Sequence, residues 1–372
     1  MNYFDTKDQH RSFLLTALAA RREKQVALAI AVVSLVVFLA TVPFVRVPLA
    51  KMPAFIPSYE AALFFIDLIT AVLLFDQCIR SRYVSILMLA SGYLFDALII
   101  VPHALSFPGA FAATGLLGAK EQTTAWLYVF WHGGFPIFVI GYALLRRMEA
   151  NGPAINFQMA PAIIVSVVVV LLVVTALTFA ATWGHDFLPI VMQGNDYSLL
   201  VEKGISPAVW ALTLLAMIAL WQREQRVVDL WLMLVMWIWL FDIALAAIIG
   251  STRFDLGFYA GRIFGLIAAS FLLIALMIEM GRMYAKAVGA AANAEEQLRH
   301  LARPRALADQ NPAPLRKQSS EEFIHQQNIL RYRSLLENGS IDEAQRLSIE
   351  RLLSEEESRA QGDGKPIVAP NS

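Results

Sequence analysis

The sequence predicts an all-α fold: a polytopic integral membrane helical bundle of eight spans, both termini cytoplasmic, with a short helical cytoplasmic tail. Three observations predict it. Of the 372 residues, 58% are hydrophobic and 16% charged, and the mean hydropathy is +0.56. Soluble domains carry about 45–50% apolar and about 25% charged residues, so the chain stands well outside that class. The apolar residues also gather into runs of about 20, the length one bilayer crossing needs. Finally, the last 88 residues hold 25 of the 60 Asp, Glu, Lys and Arg, which leaves a polar tail behind an apolar body. A formal charge of zero and a single cysteine, Cys78, exclude a nucleic-acid binder living on net charge and a disulfide-stapled secreted domain.

The spans fall near 25–45, 57–79, 83–105, 124–145, 159–183, 205–222, 228–250 and 256–281. The first apolar run is about twice the length of a signal-peptide core and no small-residue cleavage site follows it, so it reads as a span. Orientation follows from Lys and Arg in the short loops. Thirteen of them, from Lys7 and Arg11 to Arg282 and Lys286, collect on one side, against Arg46, Lys51, Lys120, Lys203 and Arg253 on the other. The sides alternate in register with eight spans, which puts residues 1–24 and the tail in the cytoplasm and the long loops 106–123 and 184–204 outside.

Ionisable groups inside spans are costly and usually face a bundle interior or a wet cavity. Asp67, Asp96, His132, Asp242 and Arg262 come one from each of five spans. At ~1.5 Å per residue all five fall in a layer roughly 9–15 Å below the outer surface. Asp242 and Arg262, on antiparallel neighbours, are the expected ion pair. The layer as a whole reads as a polar cavity open to the outside, holding an unidentified small-molecule signal. His103 stands at its mouth, and Trp126 and Trp131 are candidate walls with Tyr128, Phe130, Trp237 and Trp239.

No HxxxH or HxxE spacing joins His103 to His132, so no metal site and no cofactor is expected. Nucleophile elbows, HExxH motifs, glycine-rich phosphate loops and CxxC pairs are missing, so no catalytic residues are assigned and the expectation is not an enzyme. A small-molecule transporter using the same polar layer, or a membrane enzyme without such motifs, stands as the alternative.

The helical pattern of the last span continues through Met280, Tyr284, Ala287, Ala291, Ala294, Leu298 and Leu301. Steps of four and three make the seam of a parallel coiled coil. Residues 283–303 therefore read as a signalling helix joining a homodimer, and 304–318, with its prolines and basic residues, as a linker. Residues 319–372 read as a helical hairpin around Asn338-Gly339-Ser340, with Ile329, Leu336, Leu347 and Leu353 inside it and a disordered end. That hairpin is the expected docking piece for a separate output protein.

Several stretches carry a resemblance. They include Phe55-Ile56-Pro57-Ser58-Tyr59-Glu60-Ala61-Ala62, Gly92-Tyr93-Leu94-Phe95 and Val101-Pro102-His103-Ala104-Leu105-Ser106-Phe107-Pro108-Gly109-Ala110-Phe111. Gly115-Leu116-Leu117-Gly118, Gln122-Thr123-Thr124-Ala125-Trp126-Leu127-Tyr128 and Phe130-Trp131-His132-Gly133-Gly134-Phe135-Pro136 complete the set. Together they resemble the fourth MASE type of bacterial membrane-associated sensor domains, over roughly residues 15–285. The resemblance implies a multi-pass sensor of a bacterial inner membrane, of the kind fused to a diguanylate cyclase or a histidine kinase. Asp96 stands where it would lead one to expect a neutral polar residue. Ala294-Glu295-Glu296-Gln297-Leu298-Arg299-His300-Leu301-Ala302-Arg303 is similar to the helix that enters GGDEF cyclase domains. The continuation, Pro304-Arg305-Ala306-Leu307-Ala308-Asp309, departs from that pattern, so the output domain is expected to be absent.

Overall fold

The computed structural model describes residues 19–52, 54–149, 158–221, 226–250, 252–309, 316–337 and 343–362. Residues 1–18 of the predicted N-terminal segment lie outside them. Eight helices occupy the eight apolar runs: α1 (Arg21–Thr41), α2 (Phe55–Ser81), α3 (Val84–Ser106), α4 (Thr123–Met148), α5 (Met159–Thr182), α6 (Ile205–Leu220), α7 (Val227–Ile243) and α8 (Leu256–Asp309). Seven of these regions are long and apolar enough to cross a membrane. The remaining one, α6, has 16 residues and reaches about 24 Å, less than the ~30 Å hydrocarbon core. No named strand occurs among the described residues. The architecture is an all-α polytopic membrane bundle.

α3 and α7 bury side chains on nearly every face, whereas α1 and α5 bury few. The exposed side chains of the outer pair are apolar all round, as in Val32, Val36, Ile164, Val168 and Leu172, which suits a face turned to lipid. The α2–α3 connection is two residues long. Arg82 takes a left-handed conformation (φ 59°) and its N–H donates to the Cys78 carbonyl at 2.9 Å, which turns the chain back at once. Glu149, just past α4, then caps α3 by accepting from the Val84 and Ser85 N–H groups at 2.7 and 3.2 Å. A carboxylate there also complements the positive end of the helix dipole. α4 approaches α3 closely because Gly134 has no side chain: a Cβ there would stand 2.4 Å from Cε1 of Phe95.

The chain divides into two compact units, Met1–Tyr284 and Ala285–Ser372. Within the second, α9 (Arg316–Glu337) and α10 (Glu343–Gly362) pack as an antiparallel hairpin. His325 and Asn328 reach Glu356, and Arg333 meets Glu357 at 2.7 Å. The turn at 338–340 and the end beyond 362 lie outside the described residues. Two expectations change here. Residues 304–309 continue α8 and 316–318 open α9, within the stretch that reads as a linker. Leu347 is exposed, while Ile329, Leu336 and Leu353 are partly buried. The inner stripe of α10 runs through Ile349, Leu353 and Glu356, and Leu347 lies two residues, roughly 200°, away from Ile349.

Candidate functional site

The site grows at the end of the bundle where α3, α5 and α7 finish and α4, α6 and α8 begin. The loops there are tied together by backbone. Leu256 and Gly257 N–H donate to the Val47 and Val45 carbonyls, Leu49 N–H to Phe254 and Arg253 N–H to Asn195, all at 2.9 Å. Buried Gln122 clamps the loop after α5: its Oε1 accepts from Val191 and Met192 N–H at 2.8 Å each, and its Nε2 donates to the Met192 carbonyl at 2.7 Å. Trp126 Nε1 donates to the Pro189 carbonyl at 3.0 Å. A π-helical turn, Ala244–Ile249, closes α7, a deviation often found at functional sites.

Beneath these loops is a cavity of about 40 Å³. Its polar lining comes from His103, Thr124, Tyr128, Tyr197, Arg253 and Arg262, and its apolar lining includes Phe107, Phe258, Ala246 and Ala247. Arg253 bonds to the Thr124 hydroxyl and lies 4.8 Å from the Phe107 ring centroid. Arg262 Nη1 donates to the Phe258 carbonyl at 2.8 Å, with its guanidinium 3.6 Å from the Phe258 centroid. Burial, and then the charge of Arg262, lower the Arg253 pKa to about 10. Burial first, and Asp255 second, push the Tyr197 hydroxyl up.

One turn deeper, the predicted partners change. Asp242 faces His132, with Oδ2 3.2 Å from Nε2, and no ion pair joins it to Arg262. Helix rotation explains the correction. Gly261 and Gly265 are the α8 residues turned to Asp242; a Cβ on either would stand 2.9 Å from a carboxylate oxygen. Arg262 is ~100° round from Gly261 and therefore points into the cavity instead. His132 Nδ1 lies 3.1 Å from the Tyr128 carbonyl, an acceptor, so Nδ1 is the donor there and Nε2 is the nitrogen that meets Asp242.

A second polar ladder joins α2 to α3. Glu60 Oε1 lies 2.7 Å from His103 Nδ1, and both residues are buried. Seven residues further along α2 and seven back along the antiparallel α3 stand Asp67 and Asp96. Two turns on each helix put this carboxyl pair level, about 10 Å deeper, on the same faces, and Asp67 acts electrostatically on Asp96. Trp131 stands between the ladders, its ring centroid 5.8 Å from His103 and 4.6 Å from His132. Buried side-chain atoms without a hydrogen-bond partner concentrate here: Asp67 Oδ1, Asp96 Oδ1, Tyr93 Oη, Tyr128 Oη, Trp131 Nε1, Trp239 Nε1 and Asp242 Oδ1.

Of the eight residues predicted for one polar layer, only His103 and Arg262 therefore line the cavity. Asp67, Asp96, Trp131, His132 and Asp242 are buried below it, and Trp126 braces the loop. The sequence pattern did not single out Glu60, and it marked Tyr128 only as a candidate wall and Arg253 only as a loop charge. It also missed the buried pair Arg146–Asp229 at the opposite end, where Tyr142 donates to Asp229 at 2.7 Å. Along the predicted seam, Met280, Tyr284, Ala287, Ala291 and Ala294 are exposed. The side chains of Leu298 and Leu301 lie outside the described residues.

Comparison with known proteins gives one match. The family model for MASE4, described as a membrane-associated sensor, integral membrane domain, covers residues 50–284. No curated protein and no solved structure matches the chain.

Proposed function

The chain belongs to the MASE4 family of membrane-associated sensors, and from that premise we propose that its signal enters at the loop-covered cavity end of the bundle. In this reading that end faces outside the cytoplasm of an inner membrane, and both termini are cytoplasmic, as the loop charges favour. Eight helices cross, with α6 in a locally thinned or protein-covered stretch. The signal passes through α8 to a separate cytoplasmic output protein, and two copies pair along the 280–301 seam.

One observation carries the proposal: α8 bears Arg262 on the cavity and its helix runs on to Asp309, through the exposed seam positions. Small seam residues make a weak dimer, which suits an element that must shift register or rotate. The test uses cysteine at Ala287 or Ala291 in a full chain carrying Cys78→Ser. Disulfide cross-linking between subunits in native membranes should be strong at both positions and weaker at Ala285 and Val288. Adding Arg262→Gln should change the Ala287 yield at least twofold. An Ala287 yield that ignores Arg262→Gln removes the transmission route, and no cross-link at any of the four positions removes the dimer.

A further inference from the structure

We propose that the cavity between Arg253 and Arg262 is an anion site, whose ligand is a small oxyanion group held by the two guanidinium forks and the Tyr128 hydroxyl. The inference rests on the sensory reading of this end of the bundle and adds the chemical class of what is bound.

The argument begins with charge. Two cations from separate segments, the 250–255 loop and the second turn of α8, line one cavity of about 40 Å³. Arg262 is 8% exposed, and Arg253 is partly buried. Buried charges are normally paired, yet among the described residues no ion pair joins either guanidinium to a carboxylate. Their contacts are neutral: the Thr124 hydroxyl and the Phe107 ring for Arg253, the Phe258 carbonyl and ring for Arg262. The nearby acids serve other donors. Glu60 faces His103, Asp242 faces His132, and Asp196 accepts from Ser198 N–H at 2.8 Å. Asp255 accepts from Phe258 N–H at 2.7 Å, capping α8. The Arg253 pKa, lowered by burial and then by Arg262, fits two cations in mutual repulsion across a partly desolvated space.

The geometry then narrows the ligand. Guanidinium presents planar paired donors that match the oxygens of carboxylate, nitrate or phosphate. Tyr128 lines the cavity, and its buried Oη has no hydrogen-bond partner, so it is available as a third donor. The volume fits a small group rather than a whole nucleotide or sugar. A single water needs ~10–15 Å³ of such space, so about 40 Å³ leaves room for an oxyanion group of about three to four heavy atoms. Ala246 and Ala247, on the π-helical turn, leave that room by being small.

The test uses the full-length protein in phosphatidylcholine nanodiscs, titrated separately with sodium acetate, nitrate and phosphate at constant ionic strength. Thermal unfolding is followed by tryptophan fluorescence. At least one of these anions should raise the unfolding temperature saturably. Arg253→Gln and Arg262→Gln should each weaken that response at least tenfold, and Tyr128→Phe, which keeps the ring and so the packing, severalfold. Should either arginine variant fail to fold, Tyr128→Phe and Thr124→Val decide the matter. Nanodiscs containing phosphatidylglycerol separate the two sources of such a group: if that lipid abolishes the response to added phosphate in the wild type but not in Tyr128→Phe, the oxyanion is a lipid headgroup. No saturable response in either disc, or an unaltered one in the folded variants, overturns the anion site. The sensory reading stands or falls separately, on whether Arg262→Gln alters cross-linking at Ala287.

Discussion

Asp242 and His132 should be energetically coupled, and Asp242 and Arg262 should not. Asp242→Asn keeps the shape of the side chain while removing its charge. His132→Phe keeps the ring stacked on Tyr128, 3.8 Å between centroids, and tilted against Trp239 at 5.2 Å, while removing Nε2. Hydrogen bonds to charged groups contribute about 1.5–3 kcal/mol in soluble proteins, whereas those between membrane helices average about 0.6 and reach about 1.7 kcal/mol. The Nε2–Oδ2 distance of 3.2 Å is at the long end of the range. The double-mutant cycle should accordingly give a coupling of about 1 kcal/mol. A second cycle, Asp242→Asn with Arg262→Gln, should come out additive to within about 0.5 kcal/mol. Both are read from reversible unfolding in bicelles. Had Asp242 been the partner of Arg262, losing it would strand a buried charge at a cost of about 3–5 kcal/mol. A coupling of that size in the second cycle, with additivity in the first, would falsify the assignment.

Three further outcomes are expected. Gly134→Ala places a Cβ 2.4 and 2.5 Å from Phe95 ring carbons and should destabilise the bundle by about 1–3 kcal/mol, with Phe95→Leu in the same chain restoring most of the loss in a melting experiment. Asp229→Ala leaves Arg146 buried and unpaired, at a cost of about 3–5 kcal/mol; adding Arg146→Met should recover much of the folded yield after extraction, and a single variant as stable as wild type would remove the pair from the account. A reporter active only outside the cytoplasm should be silent when fused after Ser372 and active when inserted in 184–204; activity after Ser372 overturns the orientation.

The bundle was legible because burial in lipid acts on composition. A run of about 20 apolar residues reads as a helix whatever its neighbours are, since the backbone must satisfy its own hydrogen bonds there. The polar residues were legible as buried for the same reason, and Asp67, Asp96, His132, Asp242 and Arg262 are all buried. Their partners were not legible from depth alone. Depth changes by ~1.5 Å per residue, but direction changes by ~100°, so rotation of α8 decides which of its residues meets Asp242. Two glycines held that information: Gly261 and Gly265, four apart, mark the α8 face that another group approaches closely. The loop contribution was hidden differently. Arg253 and Tyr197 reach the cavity only because backbone bonds from Asn195 and Val47 gather loops far apart in sequence.

A signal hidden in the spacing would have found the second ladder. Glu60 and Asp67 are seven apart on one helix, Asp96 and His103 seven apart on the next, and a two-residue turn makes the helices antiparallel. Equal spacing on antiparallel neighbours forces both pairs to meet if either does. The 2.7 Å contact between Glu60 and His103 thus places the two aspartates opposite one another. The same rotational logic bears on how α8 couples the levels of the site. One turn of α8 presents Arg262 to the cavity and Gly261 and Gly265 to Asp242. No rotation of that helix can move Arg262 without sweeping the glycines across the carboxylate that holds His132. A force on Arg262 and a change at Asp242 and His132 therefore act on one mechanical element, the helix that runs on to Asp309.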